Sequence, residues 1–230
     1  LFDLVIFDIC SALSGSKTHP VDICRQVLDQ WRELLGREST GLPDIHTIVG
    51  LFGELWMLRI LTQHHQRAVE LWCGPTGARH DFSNGSNALE VKASQQRRGR
   101  FVTIHGHDQL EAPEGGSLNL ALLHVEEAPS GGESLADLVQ AIIALGGDSY
   151  QLMRRLAHLD VTAAVLSQIS GTQFLVRSCD IYCVDESFPR IIGQSFPAGS
   201  LPRGVVSLNY QIDLSSPPPH PLHVDNATAV

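Results

Sequence analysis

The stretch Arg79-His80-Asp81-Phe82-Ser83-Asn84-Gly85-Ser86-Asn87-Ala88-Leu89-Glu90-Val91-Lys92 sets two carboxylates and an ammonium around one tight turn. Alternate residues of a strand face the same side, so Glu90 and Lys92 project together while Val91 points into the core. Asn84-Gly85 is a hairpin pair, and pairing the strands across it brings Asp81 beside Glu90. Hard divalent cations such as Mg²⁺ bind oxygen donors of this kind and keep several waters. The Val91 carbonyl is a further candidate ligand. A lysine in the same place can orient or activate a water and offset charge on a phosphate. Each residue has an ordinary role too: Asp81 as a turn residue, Glu90 and Lys92 as a solvated charge pair on a half-buried strand. The combination favours the metal site.

Elements must hold these residues together. Cys24, Val27, Leu28, Trp31, Leu34 and Leu35 recur at helical spacing from Val21 to Leu35, and Gly36 stands at a helix stop. Residues 1–19 read as a short apolar segment and a polar turn. A second helix runs from about Asp44 to His64, apolar over more than one face, with Glu54 beside its buried stripe. The period then changes to two. Strands are expected at 69–73, 79–83, 88–94, 101–105, 117–126, 172–184 and 204–214, with a single helical turn at 107–111 and helices at 134–145 and 149–159. This order is α+β, helices around a mixed sheet. The chain divides into an N-terminal helical segment (1–43), a core (44–130), C-terminal helices and strands packing on it (131–214) and a proline-rich tail (215–230).

Hydrophobic residues make up 43% and charged residues 18% of the 230 positions, which excludes wholesale disorder. No apolar run reaches 18 residues, so no membrane span is expected. Opening at Leu1 with an apolar stretch, the sequence leads us to expect residues upstream. Five scattered cysteines fit reduced, cytoplasmic thiols better than a disulfide frame. The formal net charge is −9, so no global field draws the chain onto nucleic acid. A local patch of Arg79, Arg97, Arg98 and Arg100 is the candidate phosphate contact, with a solvated loop as the ordinary alternative. His64-His65, His105-x-His107 and Cys179-x3-Cys183 form no recognisable zinc spacing. Gly74-Pro75-Thr76-Gly77 lacks the Lys-Ser/Thr of a phosphate loop.

Asp-x8-Glu-x-Lys is the spacing of the PD-(D/E)XK nuclease superfamily. With Gly50-Leu51-Phe52-Gly53-Glu54-Leu55, Arg79-His80-Asp81-Phe82, Leu89-Glu90-Val91-Lys92-Ala93-Ser94 and Asp108-Gln109-Leu110, the chain resembles most closely the bacterial "PD-(D/E)XK motif protein" family, often encoded with anti-phage defence genes. The resemblance covers about residues 20–190. It departs at His80, where the motif's name has proline. It implies a restriction-endonuclease-like α/β sandwich of α-β-β-β-α-β order with one inserted strand. It further implies a Mg²⁺-dependent endonuclease acting on DNA, with Mn²⁺ substituting, in a restriction or defence system that contributes other subunits. Asp81 and Glu90 would hold the metal, Glu54 would be a further ligand, Lys92 would position the water, and Gln109 stands where several branches carry a functional glutamine. A non-catalytic subunit that keeps the nuclease fold, and a nuclease acting on RNA, are the alternatives. Oligomeric state, a homodimer included, stays open.

Overall fold

Helix α3 (Ile45–His64) begins where Asp44 accepts a hydrogen bond from the Thr47 N–H at 2.9 Å, which satisfies one donor that the first helical turn leaves unpaired. Phe52, Leu55 and Leu58 along it are fully buried. By length and composition α3 could cross a bilayer, but it packs on a central strand and on a second helix, as an interior helix does. The computed structural model describes residues 2–15, 19–37, 41–96, 99–215 and 221–223.

The architecture is α+β, a mixed sheet flanked by helices. Five strands pair in the order β1 (Phe82–Ser83), β2 (Asn87–Ser94), β4 (Ser117–Glu127), β5 (Phe174–Cys183) and β7 (Leu222–His223). β2 and β4 are parallel, and the other neighbours are antiparallel. β3 (Phe101–His105) and β6 (Asn209–Asp213) form a separate antiparallel ribbon. Both faces of the sheet are covered, and β4 shows how. Its Ala121, Leu123 and Val125 join a core with α3, α5 (Leu135–Ala144), α6 (Ser149–His158) and α7 (Ala163–Gln168). Its Leu118, Leu120 and Leu122 alternate with them and join a second core under the ribbon, with Val102, Ile104 and Ile212. A two-residue period with both faces apolar is what a doubly covered strand requires.

Several local expectations give way to tertiary context. Residues 1–19 contain a helix, α1 (Phe2–Gly15), which packs on α2 (Pro20–Leu35). Asp8 of α1 accepts hydrogen bonds from Trp31 and Ser149 at 3.0 and 2.7 Å. The apolar run at 69–73 is no strand: a short helix, α4 (Ala68–Leu71), precedes Trp72, which makes one isolated bridge to Phe82. The strand expected over 79–83 shortens to Phe82–Ser83 because Asp81 turns toward the site. At 107–111 there is a non-helical turn, closed by the Glu111 N–H on the Asp108 carbonyl at 3.0 Å. Helix α7 was not expected; Thr162 caps it. Within the proline-rich tail, Leu222–His223 adds a short edge strand.

One glycine sets the distance between α3 and the sheet. A Cβ on Gly53 would lie 2.8 Å from the Ala93 Cβ and 3.4 Å from Val91 Cγ1 of β2. Glu54 is the next residue, so this contact also sets how far its carboxyl reaches. Gly53→Ala should therefore destabilise by about 1–3 kcal/mol, the usual cost of overpacking. Adding Ala93→Gly should recover most of the loss, because it vacates the clashing atom. Thermal melts of both variants check this.

Candidate active site

Four side chains from three elements converge at β2. Glu90 and Lys92 stand on β2, Asp81 lies just before β1, and Glu54 comes from α3. The register Phe82↔Leu89 continues to place Asp81 across from Glu90. The Asp81 carboxylate is held by the Val91 backbone N–H, 2.8 Å from its Oδ2. Lys92 Nζ lies 2.8 Å from Glu90 Oε1, and the same oxygen accepts from Gln109 Nε2 at 2.6 Å. Gln109 is fixed in turn, its Oε1 accepting from the His105 N–H at 2.9 Å. The glutamine thus reaches the site from a turn and not from the helix expected there.

Glu54 has a partner that sequence reasoning missed. Fully buried Trp72 donates its indole N–H to Glu54 Oε2 at 2.7 Å. The available signal was a tryptophan inside an apolar run, whose N–H needs an acceptor once buried. Gly74 was likewise read only as part of a turn. A Cβ there would lie 3.0 Å from Asp81 Oδ1 and 3.2 Å from Glu54 Oε2. The bare backbone at Gly74 therefore lets these two carboxyl groups approach each other.

Burial dominates the electrostatics of the cluster. It raises the pKa of Glu54 to about 8, with the Asp81 carboxylate adding to the effect and the Trp72 hydrogen bond opposing it. It also raises Glu90 to about 8, again with Asp81 adding and Lys92 opposing. Asp81 is raised by burial too, against the Val91 N–H and Lys92. Groups perturbed together by burial and by one another mark a candidate site.

Carboxylate oxygens are the donor chemistry that a hard divalent cation takes. Three carboxyl groups converge, Gly74 leaves the approach clear, and Glu90 Oε2 is buried without a hydrogen-bond partner among the described residues. No three His, Cys, Asp or Glu side chains stand at metal-ligand spacing among the described residues. One oxygen of each carboxylate is instead held by a protein donor: Trp72, the Val91 N–H, or Lys92 with Gln109.

The two described arginines of the expected patch each have a carboxylate neighbour. Arg79 stands 3.9 Å from Glu111. Arg100 is tied to Asp180 at 3.1 Å and to the Tyr182 hydroxyl at 3.2 Å, contacts that hold the fold. Arg97 and Arg98 lie outside the described residues. His80, standing where the motif's name has proline, is buried.

The family model described as "Putative PD-(D/E)XK family member, (DUF4420)" matches residues 1–215. No curated protein and no solved structure matches the chain.

A raised carboxyl pKa makes the folded state hold protons that the unfolded chain has lost. The contribution of Glu54 and Glu90 to the stability of the metal-free protein should therefore be fully present below about pH 4.5, the ordinary glutamate value, and be lost toward pH 8, where they ionise. Glu54→Gln keeps an acceptor for Trp72 and removes one repelling charge. At pH 8 it should raise the metal-free melting point by at least roughly 2–4 °C, the shift that 1 kcal/mol produces in a chain of this size. At pH 4.5 it should raise it little. Melting curves in chelator across this range test the prediction, and an equal gain at both pH values would contradict it.

Proposed function

Since the chain belongs to this PD-(D/E)XK family, we propose that it is a Mg²⁺-dependent endonuclease that hydrolyses phosphodiester bonds in DNA. The observation that carries the reading is Lys92 Nζ, 2.8 Å from Glu90 Oε1, beside the carboxyl groups of Asp81 and Glu54. Asp81 and Glu90 hold the metal, with Glu54 and the Val91 carbonyl as further ligands; Mn²⁺ substitutes. Held there, the ion supplies Lewis acidity toward a phosphoryl oxygen.

The chain's own groups do the rest. Lys92 positions the attacking water through its Nζ and offsets charge that grows on the phosphate. Glu90 anchors that nitrogen, and Gln109 anchors Glu90. The Val91 N–H and the Trp72 indole orient Asp81 and Glu54, so neither carboxylate has to reorganise when substrate arrives. The water oxygen bonds to phosphorus as the P–O bond to the leaving oxygen breaks. The leaving oxygen takes that bond's electron pair, the proton lost by the attacking water passes to solvent, and solvent returns a proton to the leaving oxygen.

The setting we propose is a cytoplasmic restriction-like or defence system with further subunits. A second reading, a non-catalytic subunit that binds DNA or a partner, draws support from the net charge of −9 and from the commitment of Arg100 to Asp180.

Lys92→Ala separates the two readings. Side chains at this position contribute little to either core, so the variant should fold as the parent does. Its cleavage of duplex DNA in Mg²⁺ should fall at least 10²-fold, the lower range for loss of a positioned catalytic group. Cleavage equal to the parent's would contradict the catalytic role. A parent inactive on DNA in both Mg²⁺ and Mn²⁺ would favour the non-catalytic reading.

A further inference from the structure

The β3–β6 ribbon has one apolar face and one face that is polar apart from Phe101. Val102, Ile104 and Ile212 are buried in the second core. The residues between them form three cross-strand pairs on the outer face: Phe101 with Asp213, Thr103 with Gln211, and His105 with Asn209. All six are exposed. Gln211 Nε2 donates to Thr103 Oγ1 at 3.4 Å, and His105 Nδ1 lies 3.2 Å from Asn209 Oδ1. These contacts hold the side chains in a row. The face carries no lysine or arginine, so it is suited to reading by hydrogen bonds and not to general attraction of phosphates.

The ribbon stands next to the catalytic lysine. Phe101, Thr103 and His105 line a groove of ≈ 670 Å³ whose wall also includes Lys92. The groove follows β2 past the point where β1, paired only with Ala88 and Leu89, stops covering its edge. A strand of nucleic acid lying at Lys92 therefore passes beside the ribbon.

Dimensions select the ligand. A two-stranded ribbon fits the major groove of B-form DNA, roughly 12 Å wide. Same-face residues on a strand repeat every ~7 Å, so three rows span ~14 Å. At ~3.4 Å per base step that is about four base pairs. Asn and Gln form paired hydrogen bonds with adenine N6 and N7, and a threonine methyl packs on the thymine methyl. The major groove of an RNA helix is too deep and narrow to admit such a face.

We propose that the outer face of the β3–β6 ribbon reads base edges in the major groove of duplex DNA. Asn209, Gln211 and His105 are the residues that determine specificity, and they select a site of about four base pairs for cleavage at Lys92. The proposal rests on the DNA-cleaving reading above.

The test is cleavage of a duplex DNA pool carrying a randomised stretch, in Mg²⁺, with sequencing of the cut ends. The parent should cut with a preference spanning about four base pairs. In Asn209→Ala/Gln211→Ala, the ratio of preferred to scrambled sites should fall roughly tenfold or more for each lost base contact. Both positions are exposed, and circular dichroism checks the fold. Asn209→Asp keeps the side-chain shape and removes its donor, so it should move the preference from adenine toward cytosine. A parent without preference, variants with the parental preference, or equal cleavage of an RNA duplex of the same sequence would overturn the ribbon's role and leave the nuclease reading standing. A parent that cuts no duplex in Mg²⁺ or Mn²⁺ would overturn the DNA-cleaving reading, and this proposal with it.

Discussion

Three carboxyl groups drawn together out of bulk water repel one another, and much of the local structure answers that repulsion. Trp72 donates to Glu54, the Val91 N–H donates to Asp81, and Lys92 and Gln109 share Glu90 Oε1. Every one of these donors hydrogen-bonds to a carboxylate oxygen, yet burial still holds the pKa values of Glu54 and Glu90 near 8. Four donors therefore offset the cost only in part. A doubly charged cation is the group whose chemistry would complete the compensation.

Positioning follows from packing. Gly53 brings α3 against Val91 and Ala93, and Gly74 leaves room between Asp81 and Glu54. Both glycines act by lacking a side chain, one toward the sheet and one toward the carboxyl groups. Between the sheet and the ribbon, the second core fixes β3 and β6 relative to β2. The outer face of the ribbon and the lysine thus come to share one groove.

Much of this was legible in the residues. A hairpin near Asn84-Gly85 and the two-residue period of β2 bring Asp81, Glu90 and Lys92 together. The loop itself lies one residue later, at Gly85-Ser86, closed by the Asn84 N–H on the Asn87 carbonyl at 3.1 Å. The apolar stripe of α3 suffices to place Glu54 on a core helix. What stayed hidden depends on long-range partners. Trp72 reads locally as part of a strand, but its indole N–H serves Glu54, eighteen residues earlier. Gln109 reads as the start of a helical turn, but its amide is spent between His105 and Glu90, so the turn stays irregular. Arg100 reads as part of a basic loop, and only the fold reveals Asp180 beside it. The pairing of β3 with β6, whose strands lie more than a hundred residues apart, has no local signature either.

The central claim is that Asp81 and Glu90 share one divalent ion with Lys92 beside it. Anomalous diffraction from crystals soaked in Mn²⁺ tests it most directly. The account predicts one strong peak bonded to carboxylate oxygens of both Asp81 and Glu90, at distances near the ~2.0–2.1 Å typical of Mg²⁺, with Lys92 Nζ in the same pocket. Saturating Mn²⁺ that leaves both carboxylates without an anomalous peak, or a peak on a different set of residues, would contradict it.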